Sequence, residues 1–94
     1  MAGVEGKVAF LTGAGSGIGR ATALVLAQGG AGVVVTDINL NGAQEVAQEI
    51  SRLGRKTLAL QVDVTQLVAL EAAVAQTKQE LGRVDVLFSN AGIG

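Results

Sequence analysis

The sequence predicts an α/β protein in which one doubly wound parallel sheet has helices on both faces. Four short apolar runs alternate with three helix-length segments along the 94 residues. Each run is continuously apolar, which is typical of parallel strands that are buried on both sides. Strand–helix–strand order requires right-handed crossovers, and the simplest arrangement that satisfies them has the spatial strand order 3-2-1-4.

The first part of the chain predicts a strand, a helix and a second strand. Lys7–Thr12 is an apolar run, and Gly17–Gln28 has apolar residues close to a helical period. Gly29–Gly30 follows this helix, where glycine commonly forms a left-handed cap. The Val-rich run Gly32–Asp37 is the second predicted strand, although a glycine at the start of a strand is unusual.

The middle of the chain predicts a second helix and a third strand. Leu40–Leu53 has apolar residues at helical spacing, and Asn39 precedes it as a predicted N-cap. Gly54 follows the helix as a predicted left-handed cap. The run Thr57–Val62 then predicts the third strand, because it is apolar and has polar residues on both sides.

The last part of the chain predicts a third helix, Leu67–Leu81, and a fourth strand, Val84–Ser89. Thr65 is the predicted N-cap of this helix, and Gly82 is its predicted C-cap. In the order 3-2-1-4 the fourth strand lies at an edge of the sheet, and its apolar residues leave that edge ready to pair. We therefore expect a homo-oligomer, most simply a dimer in which two such edges pair antiparallel.

Composition limits the classes of partner. Hydrophobic residues make up 49% of the chain, charged residues make up 16%, and the net charge is −1. Without a basic stripe, nucleic acid and anionic membranes are not expected as partners. No apolar run approaches the roughly 18 residues of a membrane span, and no secretory signal is recognisable, so the cytoplasm is the predicted location. The chain has no Cys and no His, and no metal site is expected.

The glycine segment after the first strand predicts an anion site. Gly13, Gly17 and Gly19 fit the spacing G-x-x-x-G-x-G, whereas neither G-x-G-x-x-G nor the P-loop pattern fits. Glycines let backbone N–H groups approach a phosphate closely, and the dipoles of the following helix favour negative charge there. The segment therefore predicts binding of a dinucleotide pyrophosphate. A tight strand-to-helix turn without a ligand is the alternative.

Asp37 predicts which dinucleotide is bound. It ends the second strand, close to the offset of about 20 residues at which an acidic side chain binds the adenosine ribose. A carboxylate at this place repels a 2′-phosphate, and neither Ser16 nor Ile38 supplies a compensating cation, so NAD is preferred over NADP. Considered by itself, Asp37 could also be an ordinary loop residue after a strand.

Two further motifs follow the third and fourth strands, at the strand ends where ligands bind in open α/β sheets. They are Asp63-Val64 and Ser89-Asn90-Ala91-Gly92. Together with the glycine segment Thr12–Gly19 and Asp37, they resemble the N-terminal half of the short-chain dehydrogenase/reductase family over about residues 7–94. The resemblance implies a Rossmann-like sheet that stops after its fourth strand, and residues 1–94 form one dinucleotide-binding half domain.

The same resemblance assigns a part of the cofactor NAD(H) to each motif. The glycine segment would line the pyrophosphate and the approach to the nicotinamide, and Asp37 would hold the adenosine ribose. Asp63 would meet the adenine amino group and the Val64 backbone an adenine ring nitrogen, while Asn90 would border the ribose and Thr12 would tie the first and fourth strand ends together. The predicted cofactor residues are Gly13, Ser16, Gly17, Ile18, Gly19, Asp37, Ile38, Asp63, Val64, Asn90, Ala91 and Gly92.

Alternatives remain for two of these residues and for the function. Asp63 could be a solvated acid that caps the third helix alongside Thr65, and Asn90 could be a turn residue. Members of the family have later catalytic Ser, Tyr and Lys residues, so no catalytic residue is predicted here, and the parent would oxidise an alcohol or reduce a ketone. We expect an NAD(H)-binding part that is inactive alone. The alternatives are a stand-alone nucleotide-binding or self-assembling module without redox chemistry, and a folded fragment that binds nothing.

Overall fold

A computed structural model describes residues 3–90, in which three helices cover a four-stranded parallel sheet. The strand order 3-2-1-4 confirms the prediction. Among the described residues, no helix combines the length and the apolar character that crossing a bilayer requires. In chain order the elements are β1 (Val8–Thr12), α1 (Gly17–Gln28), β2 (Gly32–Asp37), α2 (Leu40–Arg52), β3 (Thr57–Gln61), α3 (Leu67–Leu81) and β4 (Val86–Ser89).

Several element ends differ from the prediction by one or two residues. β1 begins one residue after Lys7, and β4 begins at Val86 instead of Val84. Leu53 is the C-cap of α2 rather than part of the helix, and its N–H donates to the Ile50 carbonyl at 3.0 Å. Val62 lies just beyond β3, although its N–H still donates to the Asp37 carbonyl. Leu53 and Val62 are apolar residues that directly follow α2 and β3, so hydropathy extends past these two ends after the regular structure has stopped.

The helix N-caps follow the prediction in one case and differ in another. The Asn39 side chain accepts a hydrogen bond from the Gly42 N–H at 3.2 Å, which confirms Asn39 as the N-cap of α2. The prediction for Thr65 is wrong, because Gln66 occupies the N-cap position of α3 without a side-chain cap bond. The Thr65 hydroxyl donates to the Asp63 carboxylate at 2.7 Å instead, so local bonding competes with capping.

The predicted left-handed residues at helix C-termini are present after α2 and α3, at Gly54 and Gly82. After α1 the prediction is wrong for the first glycine of the pair. Gly29 keeps a right-handed conformation with φ −78°, and Gly30 takes the positive φ. The chain therefore turns one residue later than the sequence pattern indicates.

The core is divided between the two faces of the sheet, as a doubly wound fold requires. Leu11, Val33 and Val35 point to the face on which α1 and α2 pack, where Leu26 and Ile50 meet them. Successive strand side chains alternate between faces, so the intervening residues of β1 and β2 belong to the opposite cluster. This cluster contains Val8, Phe10, Val34, Val62 and Ala73, with partly buried residues of α3 packed around it.

β4 is the outer strand next to β1 and is the least buried strand of the sheet. Its residues pair with β1 in parallel register, with Leu87 opposite Phe10 and Ser89 opposite Thr12. Val86 is 36% exposed and Leu87 is 65% exposed, whereas every residue of β1 is buried. Within residues 3–90, β4 therefore leaves one apolar edge of the sheet uncovered.

Candidate functional site

A cavity of about 470 Å³ opens at the carboxyl ends of the strands. The segments that follow all four strands contribute to it, because the parallel strands end at the same edge of the sheet. Open α/β sheets bind ligands in the crevice outside the carboxyl ends of their strands, at the point where the strand order reverses. The lining residues are Gly13, Ser16, Gly17, Ile18, Asp37, Ile38, Val62, Asp63, Val64 and Asn90.

Nine of the twelve predicted cofactor residues line this cavity. Gly19 does not line it, because it is buried behind the glycine turn. Ala91 and Gly92 lie outside the described residues. Val62 also lines the cavity but is not among the predicted site residues. Its apolar side chain indicates only the end of the third strand, and its position directly before Asp63 is the one feature of the sequence that could have identified it.

The glycine turn is shaped by backbone conformations and by close packing. Gly13 and Gly17 have φ values of 61° and 58°, a region that side chains strongly disfavour. The Ala14 N–H donates to the Thr36 carbonyl at 3.0 Å, which fixes the turn to the end of β2. A methyl group on Gly19 would overlap the Gly13 carbonyl oxygen, so a glycine at position 19 lets α1 pack directly against the turn.

The N-terminus of α1 faces this turn with its first backbone N–H groups uncapped by side chains. Ser16 is the N-cap residue, but its side chain makes no cap hydrogen bond, and the first turn contains no acidic residue. The first N–H groups of a helix have no partner within the helix, and the aligned peptide dipoles favour negative charge there. The site can therefore bind a phosphate group without removing an existing cap.

The Asp37 carboxylate connects the glycine turn to the start of α2. One oxygen accepts a hydrogen bond from the Gly15 N–H at 2.9 Å, and the other accepts from the Asn39 N–H at 2.9 Å. A carboxylate can accept about four hydrogen bonds, so these two contacts orient Asp37 and leave capacity for hydroxyl donors. Gly15, whose N–H makes the first of these contacts, is not among the predicted cofactor residues.

The start of α2 also packs closely on the glycine turn. A methyl group on Gly15 would lie 3.0 Å from the Ala43 nitrogen, and one on Gly42 would lie 3.0 Å from the Gly15 carbonyl oxygen. The Asn39 side chain holds the Gly42 N–H in this arrangement. The beginnings of two helices thus support one turn, and the pair Gly15 and Gly42 was not predictable from motif spacing.

Asp63 is held by local hydrogen bonds on the opposite side of the cavity. Its Oδ1 accepts from the Thr65 hydroxyl at 2.7 Å and from the Thr65 N–H at 3.0 Å. These bonds lower the pKa of the Asp63 carboxyl, with the side-chain bond as the larger cause, so Asp63 is ionised near neutral pH. Neither Asp63 nor Thr65 caps α3, and Oδ2 has no hydrogen bond among the described residues.

Hydrogen bonds between the ends of β1 and β4 close the remaining side. The Asn90 N–H donates to the Thr12 hydroxyl oxygen at 3.2 Å, and the Asn90 side-chain amide donates to the Gly13 carbonyl at 3.2 Å. The Thr12 hydroxyl in turn donates to the Ser89 hydroxyl oxygen at 3.4 Å. Thr12 therefore ties the two strand ends together, as predicted, and Asn90 does more than form a turn.

A glycine turn before a helix N-terminus and an acid at the end of the next strand define the class of dinucleotide-binding α/β proteins. A family model described as short chain dehydrogenase matches residues 7–94 of this chain. The chain belongs to this family.

Curated relatives with known activities share this part of their sequences. The cyclohexanol dehydrogenase of Acinetobacter sp. (strain SE19) is 49% identical over 87 residues, which cover 93% of this chain and 35% of the relative. The 7alpha-hydroxysteroid dehydrogenase of Escherichia coli (strain K12) is 44% identical over 91 residues, which cover 97% of this chain and 36% of the relative. The chain thus spans about a third of the length of these relatives and corresponds to an N-terminal part of such proteins.

Solved structures agree with the fold. A hydroxysteroid dehydrogenase from Escherichia coli superimposes with a TM-score of 0.90 at 44% identity, over 95% of this chain and 38% of that structure. A 7 alpha-hydroxysteroid dehydrogenase complexed with NADH and 7-oxo glycochenodeoxycholic acid has a TM-score of 0.86 at 43% identity, over 89% of this chain and 33% of that structure. These proteins have Rossmann folds, and the NADH complex supports a nicotinamide cofactor for the family.

Proposed function

We propose that this chain binds NAD(H) as the cofactor-binding part of a short-chain dehydrogenase/reductase that interconverts alcohols and ketones. The observation that carries the proposal is the 470 Å³ cavity, where the glycine turn and Asp37 meet. Its volume is within the range of about 300–1,000 Å³ typical of small-molecule sites. The two relatives described above are named for the oxidation of alcohols, and one solved structure contains NADH.

Each part of the cofactor has matching groups in the cavity. The uncapped N–H groups at the start of α1 suit the pyrophosphate, and Asp37 suits the hydroxyls of the adenosine ribose. Ile38 and Val64 offer apolar contacts to the adenine ring, and Asp63 offers an acceptor for its amino group. When bound, the cofactor supplies hydride chemistry; the protein residues bind and orient it.

The charges around the cavity favour NAD over NADP. Asp37 and Asp63 are the only charged residues among those that line it, and both are acidic. Arg20, at the start of α1, already forms an ion pair with Glu49 at 2.7 Å. A 2′-phosphate placed near Asp37 would therefore meet negative charge, and none of the described residues that line the cavity supplies a cation to offset it.

Calorimetric titration of NADH and NADPH tests this proposal. We expect wild-type protein to bind NADH more tightly, and Asp37→Ala to weaken NADH binding about tenfold or more because hydrogen bonds to a charged acceptor are lost. Asp37→Ala also loosens the glycine turn, which would weaken both nucleotides, so the decisive quantity is the ratio of the two affinities. The preference for NADH over NADPH should fall in Asp37→Ala. It should stay unchanged in Glu71→Ala, which removes an exposed acid of α3. An unchanged ratio in Asp37→Ala, or no NADH binding by wild type, would contradict the proposal.

We further propose that residues 1–94 do not transfer hydride by themselves. The cavity lining contains no Tyr, Lys or His to exchange a proton with a substrate, and the sequence has no Tyr at all. Lys7 and Lys56 line a different cavity, at the other end of the sheet, and Lys78 is exposed on α3. Assays of NAD reduction with simple secondary alcohols should show no turnover; measurable turnover would overturn this part.

A second candidate function is self-assembly through β4. The observation that favours it is the uncovered strand edge with Val86 and Leu87 exposed. Pairing of two edges would satisfy open backbone groups of both copies. Sedimentation should then show a dimer at micromolar concentration. Leu87→Lys should dissociate this dimer, and Val68→Lys, at an exposed position of α3, should not. A monomeric wild type would eliminate this candidate.

Nucleic acid and membranes are not part of either proposal, and the cytoplasm stays the predicted location.

A further inference from the structure

A second cavity, of about 300 Å³, opens at the amino ends of the strands, opposite the proposed cofactor site. Four of the seven basic residues of the chain line it, and no lining residue is acidic. The four basic residues are Lys7, Arg55, Lys56 and Arg83. Glu5 and Asp85 are the acids close by, so the surroundings of the cavity are net positive.

Arg55 and Arg83 already have direct partners. Among the described residues Lys7 and Lys56 have none, although Lys7 lies close enough to Asp85 for their charges to interact. Arg55 donates through Nε to the Ala27 carbonyl at 2.8 Å, and Arg83 forms an ion pair with Asp85 at 2.7 Å. Within residues 3–90, Lys7 and Lys56 form no ion pair. Their ammonium groups, and the remaining N–H groups of the Arg55 guanidinium, are therefore available to a ligand.

Gly32 lies between Lys7 and Lys56 and adds no side chain to the cavity that all three residues line. It begins β2, and its N–H donates to the Lys7 carbonyl at 2.8 Å. A methyl group on Gly32 would lie 3.6 Å from the Lys56 Cβ and 3.4 Å from the Lys56 carbonyl oxygen. Glycine weakens a strand and often marks a place where a ligand approaches the backbone closely. The cavity beside Lys7 and Lys56 is such a place.

We propose that this cavity is a second anion site, which binds a compact diphosphate ligand between Lys7 and Lys56. Its volume is at the lower limit of small-molecule pockets, which suits a compact ligand. Lysine ammonium groups and guanidinium N–H groups are the usual partners of phosphate oxygens. Favourable interaction with helix C-termini explains the position of Arg55, but it does not explain the two unpaired lysines.

Titration of the wild-type protein with inorganic pyrophosphate at low ionic strength tests the proposal. Amide NMR spectra should show saturable shifts at Gly30, Gly54 and Lys56, which are all at this cavity. Lys7→Gln and Lys56→Gln should each weaken binding about fivefold, as expected for a solvent-accessible charge pair. Lys78→Gln removes an equal charge from α3, outside the cavity, and should leave the affinity unchanged. No saturable shift at these amides, or equal weakening by Lys78→Gln, would overturn the proposal.

Gly32→Val provides the sharper variant, because it fills the space between the lysines and keeps every charge. We expect it to weaken pyrophosphate binding about tenfold, whereas a diffuse positive surface would bind as tightly as before. Should Gly32→Val not fold, Gly32→Ala replaces it. Its methyl group makes only ordinary contacts, so we expect this variant to fold and to bind pyrophosphate severalfold more weakly than wild type. Unchanged binding in the folded variant would overturn the proposal. NADH affinity is measured in parallel, so failure here is distinct from failure of the proposed function.

Discussion

The two ends of the sheet differ in charge and in the helix ends that they present. At the carboxyl end, the helices begin, and the cavity is lined by Asp37 and Asp63 without a basic residue. At the amino end, the helices finish, and the second cavity is lined by basic residues without an acid. Helix N-termini favour negative charge and C-termini favour positive charge, so the sign of the charge at each end matches the helix ends there. Among the basic residues, this interaction accounts for Arg55 and not for Lys7 and Lys56.

The ends also differ in how their groups are held in place. At the carboxyl end, short side chains are fixed by adjacent backbone N–H groups, as Asp37 is by Gly15 and Asn39. At the amino end, long side chains reach the cavity, and Lys7 and Lys56 are exposed. The backbone therefore fixes the geometry of the first site, whereas long side chains form most of the second. Added atoms should therefore do most damage at the carboxyl end, and changes of charge should have modest effects at the amino end.

The largest effect is expected for Gly19→Ala at the carboxyl end. The new methyl would overlap the Gly13 carbonyl oxygen and lie 2.8 Å from the Ala14 Cα, and both are backbone atoms that cannot rotate away. We expect the free energy of unfolding to fall by about 2–3 kcal/mol, as for other overpacked sites. Urea denaturation measures it.

Gly32→Ala is the matched control for this prediction at the amino end. It makes the same chemical change in a glycine whose methyl would make ordinary contacts at 3.4 Å or more. Its unfolding free energy should differ from wild type by less than about 1 kcal/mol. Equal losses in the two variants would show that the two ends do not differ in tolerance to added atoms.

An intermediate effect is expected for Arg55→Gln at the amino end. This change removes the hydrogen bond to the Ala27 carbonyl near the end of α1. Because the residue is only partly buried, we expect a loss of about 1 kcal/mol in unfolding free energy, below the usual range for a charged hydrogen bond. Arg52→Gln, in the exposed last turn of α2, is the control and should cost about 0.3 kcal/mol. Equal midpoints in urea for both variants would contradict the assignment.

The smallest effect is expected for Asp85→Asn and depends on pH. The hydrogen bond from Arg83, followed by the one from the Val8 N–H, lowers the pKa of the Asp85 carboxyl. A carboxyl with a lowered folded pKa stabilises the protein above its unfolded pKa of about 3.9 and loses this contribution as the pH falls through the folded value. Asp85→Asn should therefore be less stable than wild type at pH 7, and the difference should shrink below about pH 4.

Urea midpoints at several pH values measure this difference. Glu71→Gln, which removes an exposed acid of α3, is the control and should stay within about 0.5 kcal/mol of wild type at pH 7. A gap between Asp85→Asn and wild type that is constant from neutral to acidic pH would show that the ionised carboxylate does not contribute.

Local patterns predicted most of the fold and the site because the relevant signals lie close together in the sequence. Apolar runs located the four strands, and the simplest order that their alternation with helices allows, 3-2-1-4, is the observed one. The ends of the helices were less predictable. Thr65 forms a hydrogen bond with Asp63 instead of capping α3, and Gly30 rather than Gly29 takes the left-handed conformation after α1. Such choices depend on which of two neighbouring groups forms a hydrogen bond, and hydropathy does not decide that.

Motif spacing in the sequence was sufficient to predict the glycine turn and the acid after β2, and right-handed crossovers left few strand orders open. The tertiary structure alone decided that Gly42 of α2 meets Gly15 of the turn, and that Lys7 and Lys56 flank one cavity. These residues are far apart along the chain, and their contact depends on how closely two backbones approach. That distance is set by packing of the whole sheet and its helices, which no local pattern of residues encodes.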